Sequence, residues 1–145
     1  CKKYEDYDRV MDAGASSKNI YFIRYADLIL LYAECLLAEN DLAGAKQQVI
    51  RVRNRAKVST PITASNNTEM LDFIYEERMR ELGMEGWRRM DLIRRGADYF
   101  AAQVDKYNPF AKGNVQPYHA FYPIPTNEIN MNDGIGAEDQ NEGYK

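Results

Sequence analysis

The sequence predicts an all-α fold: a helical hairpin, a Gly-broken helix pair and an irregular C-terminal tail docked on the helices. Two observations carry that class. Apolar residues recur at three- and four-residue spacing through residues 20–106, interrupted at Asn40–Asp41 and at Gly83 and Gly86. After Tyr107 the period is lost and prolines gather, four of the five lying between Asn108 and Pro125. The lead-in, 1–19, is polar and irregular, with a loop at Gly14, Ser16 and Ser17; 20–106 is helical; 107–145 is the tail.

The first helix is expected from about Arg24 to Glu39, with Ile29, Tyr32, Ala33 and Leu36 on one face. Asp41 is a good N-cap for a second helix over about 42–56, whose inner face is Ala45, Val49 and Val52. These seven positions lie where a tetratricopeptide repeat places its packing residues, although Lys57 stands where that repeat usually has Pro. The hairpin is therefore tetratricopeptide-like. A turn-rich loop, VSTPITASNN, leads to a third helix of about 68–82, capped by Asn67 or Thr68, with Leu71, Ile74, Tyr75 and Leu82 inward. A fourth helix starts near Trp87 and stops at Gly96, or restarts from Asp98 for a turn or two. In the tail the YPIP segment, Tyr122–Pro125, must be extended, because each proline disfavours helix in the residue before it. Phe121, Tyr122, Ile124 and Ile129 are the expected docking residues.

The 145 residues fit one domain and are long enough for a core. A net charge of −3, from 19 basic and 22 acidic residues, gives no global field toward nucleic acid or an anionic membrane. Nothing approaches an apolar run of about 20 residues. Cys35, inside LILLYAECLL, reads as a small buried residue. Cys1 reads as the start of a piece cut from a longer chain, ahead of a lipid-modified terminus. A single repeat-like pair, where arrays need about three, leads to the same expectation and to an isolated chain that exposes apolar surface and associates with itself or with the missing N-terminal part.

The densest chemistry lies in Glu76–Arg95, EERMRELGMEGWRRMDLIRR, which carries eleven charges in twenty residues. Glu77, Glu81 and Glu85 recur every four residues, and Glu81 with Glu85 makes a candidate glycosidase pair. Arg78, Arg80, Arg88 and Arg89 crowd the same stretch. A carboxylate that must hold a proton is poorly served by such neighbours, so an ion-pair network pinning a helix corner is the better reading. No catalytic residue is assigned. His119 is the sole histidine, and Glu138, Asp139 and Glu142 lack the spacing of a calcium loop, so no metal or cofactor is expected. Arg51, Arg53 and Arg55 point in different directions on one helix and make a poor nucleic-acid surface. Of the aromatics that could form a sugar platform, Trp87, Tyr107, Tyr118 and Tyr122, the first reads as core. Tyr107 and Tyr118 are the candidate glycan-binding residues.

Five segments in this order resemble the C-terminal part of the SusD/RagB family of nutrient-binding lipoproteins. They are Ile23–Leu36, Val52–Ala56, Glu76–Gly96, Tyr122–Ile129 and Gln140–Tyr144. In the charged block the family-like positions are Glu77, Arg78, Glu81, Leu82, Glu85, Gly86, Arg88, Asp91, Leu92 and Arg94. Arg89 and Met90 depart from it, standing where the family usually has two aromatics, as do Gly83 and Met84. The resemblance implies that residues 1–145 are the C-terminal portion of a SusD-like domain, helical and tetratricopeptide-like. It implies a non-enzymatic surface protein of Bacteroidetes that captures oligosaccharide, or sometimes peptide, for import through a SusC-like TonB-dependent transporter. It further implies attachment to the external face of the outer membrane by a lipid on a parent N-terminus absent from this chain, with the rest of the parent chain as a further partner. The alternative is a tetratricopeptide-like protein-interaction scaffold that binds no sugar.

Overall fold

A computed structural model describes residues 2–5 and 18–145, and all regular structure among them is helical. The readings of Cys1 and of the loop at Gly14, Ser16 and Ser17 lie outside the described residues. The chain forms two compact units, Cys1–Glu81 and Leu82–Lys145.

The first unit holds α1 (Tyr25–Ala38), α2 (Leu42–Arg55) and α3 (Asn67–Glu81), preceded by a 3-10 turn at Lys2–Tyr4. The α1–α2 connection is short because two caps share it. The N–H of Asp41 donates to Leu36 O (2.8 Å) and that of Asn40 to Leu37 O (3.0 Å). With Asn40 at φ 62°, these bonds make a Schellman ending. Asp41 then caps α2, accepting from Gly44 N at 2.8 Å, as its position predicts. The second helix ends the same way: Val58 N to Arg53 O and Lys57 N to Asn54 O, both 3.0 Å, with Lys57 at φ 56°. A proline, locked near −65°, cannot take that position, which accounts for the departure from the repeat pattern.

Leu30, Ala33 and Leu37 of α1 meet Ala45, Val49 and Val52 of α2, and Met70 and Ile74 of α3, in one core. Leu30, Met70, Ile74 and Val49 are the largest fully buried side chains, and burial of each stabilises the unit by about 1.5–3 kcal/mol. Small residues at 33 and 45 are fully buried where the repeat pattern wants close helices. Tyr32, expected inward, is 53% exposed, and Leu30 and Leu37 carry the stripe, with Ile29 and Leu36 half-buried beside it. The apolar run 28–37 offers two overlapping stripes, and the one that also buries Asp27 against an arginine is used. Cys35 lies on the exposed face, contrary to the apolar-run reading. The cap of α3 is Asn66, one residue earlier than expected. Its Oδ1 accepts from Glu69 N (2.9 Å), and Glu69 returns to Ser65 N (2.7 Å) and Oγ (2.8 Å). In α3, Met70, Ile74 and Tyr75 are buried and Leu71 is half-buried.

The second unit holds α4 (Arg88–Arg94), α5 (Ala97–Tyr107) and α6 (Thr126–Met131), with 3-10 turns at Pro117–Ala120 and Ala137–Asp139. Gly96 separates α4 from α5 at φ 106°, ψ 157°, a region that essentially glycine alone visits. The restart after Gly96 runs for eleven residues, well beyond a turn or two. The tail also carries more helix than its prolines suggest. Pro117 opens one turn and Pro125 stands at the N-cap of α6, because a fixed φ near −65° suits a helix start as well as it forbids a helix interior. The tail docks through Ala120, buried with Leu92 and Phe100, and through Val115 beside them. Of the residues expected to do this, Phe121 and Tyr122 are 58% and 69% exposed, although Arg89 lies over the Tyr122 ring, and Ile124 and Ile129 are half-buried.

Candidate functional site

The charged block straddles the boundary between the units, and its α3 half is built into the first. Arg78, 2% exposed, places Nη1 2.6 Å from Asp27 Oδ1 and Nε 3.9 Å from Glu34 Oε1, both on α1. Glu77 accepts from Arg53 Nη1 of α2 at 2.9 Å, with both side chains nearly buried. Glu81 lies at the C-terminal end of α3, where the helix dipole disfavours an anion. Cations converge there: Arg24 bonds its carboxylate and its carbonyl (both 2.8 Å), Lys3 Nζ reaches the carbonyl (3.0 Å), and Arg55 lies 2.5 Å from the carboxylate. Three helices and the lead-in are thus tied by this half of the block. Arg53 points to Glu77, whereas Arg51 turns to Gln48 and to Tyr25 Oη and Arg55 to Glu81, the divergence expected of that trio. Both oxygens of Glu81 take guanidinium donors, an arrangement suited to holding helices together.

The second unit has a concave surface. A cleft of about 660 Å³ is lined by Ala97 of α5, by Gln116, Pro117, Tyr118 and Phe121, and by Asn141, Glu142 and Gly143. Its far wall is the end of the chain folded back on the YPIP segment. Gln140 brackets Ile124, accepting from its N–H (2.7 Å) and donating to its C=O (3.0 Å), as a neighbouring strand would. Asn141 Nδ2 donates to Tyr122 O (2.7 Å), and Tyr144 Oη to Phe121 O (3.1 Å). With prolines at 123 and 125 the segment lacks the N–H groups for a regular ladder, so side-chain amides make the pairing. Gly143, at φ 86°, lies against the Tyr118 ring so closely that a Cβ would come 2.3 Å from Cγ. Tyr144 meets the same ring edge-on at 5.2 Å. Arg89 is the rivet below: its guanidinium lies over Phe100 (5.1 Å) and Tyr122 (4.2 Å) and donates to His119 O (2.8 Å) and Ala120 O (3.1 Å). A planar cation thus stacks on rings at the position where the sequence departs from an aromatic.

The two candidate tyrosines part company. Tyr118 lines the cleft, while Tyr107 ends α5 with Lys106 Nζ 4.8 Å from its ring centre and is not among the lining residues. Trp87 is half-buried at the N-cap of α4, and Tyr122 is engaged by Arg89. The sequence reading did not bring Phe121, Asn141 and Glu142 to this cleft. The signal was the pairing of QNEGY with YPIP, which is invisible until the chain folds back. Among the described residues no group of His, Cys, Asp and Glu could hold a metal ion, and no helix is long and apolar enough to cross a membrane.

The sequence model of the SusD family matches residues 1–144. The chain is 34% identical over 134 residues to "SusD-like protein P25" of Formosa agariphila, covering 89% of this chain and 25% of that protein. It is 32% identical over 142 residues to "Starch-binding protein SusD" of Bacteroides thetaiotaomicron, covering 94% of this chain and 23% of that protein. The chain therefore spans about a quarter of the length of these curated relatives. No solved structure matches it. A repeat-like hairpin, a charged block tying three helices and a tail clasped by its own last residues are thus features of a chain that belongs to the SusD family.

Proposed function

We propose that this chain is part of a surface glycan-binding component of a SusCD-like nutrient uptake system. It captures oligosaccharide for import through a SusC-like TonB-dependent transporter, at the external face of the outer membrane, on a protein anchored by lipid. Family membership over residues 1–144, with a relative named as starch-binding, carries this reading. The described residues support binding without covalent chemistry. An aromatic-walled cleft is present, and Glu81 of the Glu81–Glu85 pair is committed to arginines. Tyr118 is the better placed of the two candidate contacts, and Tyr107 is the other.

Isothermal titration of the full-length protein against a panel of oligosaccharides tests the reading. Saturable binding without turnover is the expected result. No binding to any sugar alongside tight binding to a co-purified transporter would favour the protein-interaction scaffold. Glycoside turnover abolished by Glu85→Gln would overturn the non-enzymatic reading.

A further inference from the structure

We propose that the cleft between Phe121 and the Asn141–Gly143 return is a binding site for an uncharged, hydroxyl-bearing ring, so that the captured glycan is neutral. This rests on the glycan-capture reading above and adds to it a place and a chemical class. A volume of about 660 Å³ suits a small ligand. One wall is apolar: Ala97, Pro117 and the Phe121 ring, 58% exposed although its own carbonyl is fixed by Tyr144 Oη. The Tyr118 ring packs against Gly143 and Tyr144, and Phe121 is the more open of the two rings of the cleft. The C–H face of a pyranose is the matching apolar surface.

The opposite wall offers acceptors, beside the amides of Asn141 and Gln116, and, among the described residues, no cation. Asn141 uses its amide N–H on Tyr122 O and keeps Oδ1, and the Glu142 carboxylate has no partner among the described residues. Acceptors beside an aromatic ring call for hydroxyl donors. Among the described residues no lysine or arginine lines the cleft, so a uronate or sulfate would bring its charge against Glu142 without a cation of the lining to offset it. The charge pattern therefore selects neutral sugars.

The test is titration of the full-length protein with malto-, xylo-, laminari- and cello-oligosaccharides and, at matched length, oligogalacturonate and sulfated carrageenan oligosaccharides. At least one neutral series should bind tighter than either acidic one. Phe121→Ala should weaken that binding tenfold or more. Glu142→Lys should weaken it severalfold and narrow the gap to the acidic series. Circular dichroism verifies the folding of each variant. If acidic glycans bind best, the proposed class is wrong. If neutral glycans bind but both folded variants stay within twofold of the parent, the proposed site is wrong and glycan capture stands. If no sugar binds at all, the glycan reading fails and this site fails with it.

Discussion

Replacing Arg78 by Met tests the reading of the α3 half of the charged block as a tie between helices. Arg78 is 2% exposed and its guanidinium sits 2.6 Å from a carboxylate, Asp27, that is itself buried. Met preserves most of the side-chain volume, so packing loss is small and the chief effect is a buried anion left without its partner. Such losses cost about 3–5 kcal/mol. With a urea slope of about 2 kcal/mol per molar for a chain of this size, the midpoint should fall by about 2 M. Asp27→Leu alone leaves the buried Arg78 its 3.9 Å contact with Glu34, so it should be damaging but the milder of the two. The double variant Asp27→Leu/Arg78→Met removes both charges and should recover most of the loss, since well-packed apolar pairs equal or exceed buried ion pairs in stability. Urea unfolding followed by far-ultraviolet circular dichroism reads all four proteins. A single variant within about 1 kcal/mol of the parent, or a double variant as unstable as the sum of the singles, would refute the reasoning.

Three further outcomes follow from the backbone and the caps. Gly96→Ala meets no atom within 4 Å, so its cost is purely conformational, about 1–3 kcal/mol, and an unchanged thermal midpoint would contradict the assigned φ and ψ. Lys57→Gly should stabilise the hairpin by up to about 1 kcal/mol, whereas Lys57→Pro, which restores the repeat pattern, should destabilise it by about 3 kcal/mol or more; denaturant midpoints separate the two signs. The Glu69 carboxyl is held below its ordinary 4.5, first by the Ser65 backbone N–H and then by the Ser65 hydroxyl and Asn66. Its stabilising effect is therefore complete above about pH 4.5 and is lost as pH falls through the lower folded value. The stability gap between the parent and Glu69→Gln should shrink over that acid range and stay constant above it.

The first unit was readable to within a residue or two at each helix end, because periodicity and caps are local. Asp41 and the inward positions 33, 45, 49, 52, 74 and 75 all follow from spacing within one or two turns. Tyr32 and Cys35 were misplaced because a run apolar on nearly every face does not state which stripe turns inward. The deciding partner, Arg78, lies 51 residues from Asp27. The tail was hardest. Its clustered prolines hide helical starts, since two of them begin turns, and its docking depends on Gln140 and Asn141 finding backbone 16 and 19 residues away. The cleft was legible only through Tyr118, since its other walls are set by that return. Arg89 shows the same limit: nothing local indicates that a guanidinium will take an aromatic's place between rings.

The clasp of residues 140–144 onto 121–124 has a consequence for how this chain tolerates change in length. The pairing uses side-chain amides and a phenol at one end and backbone at the other, so it does not depend on what runs between them. That intervening stretch carries α6, which has no buried residue. Doubling the length of a closed loop costs only about 0.6 kcal/mol. Extra residues spliced after Met131 should therefore leave the clasp shut, making this the position in the tail where length can vary with least effect on the fold.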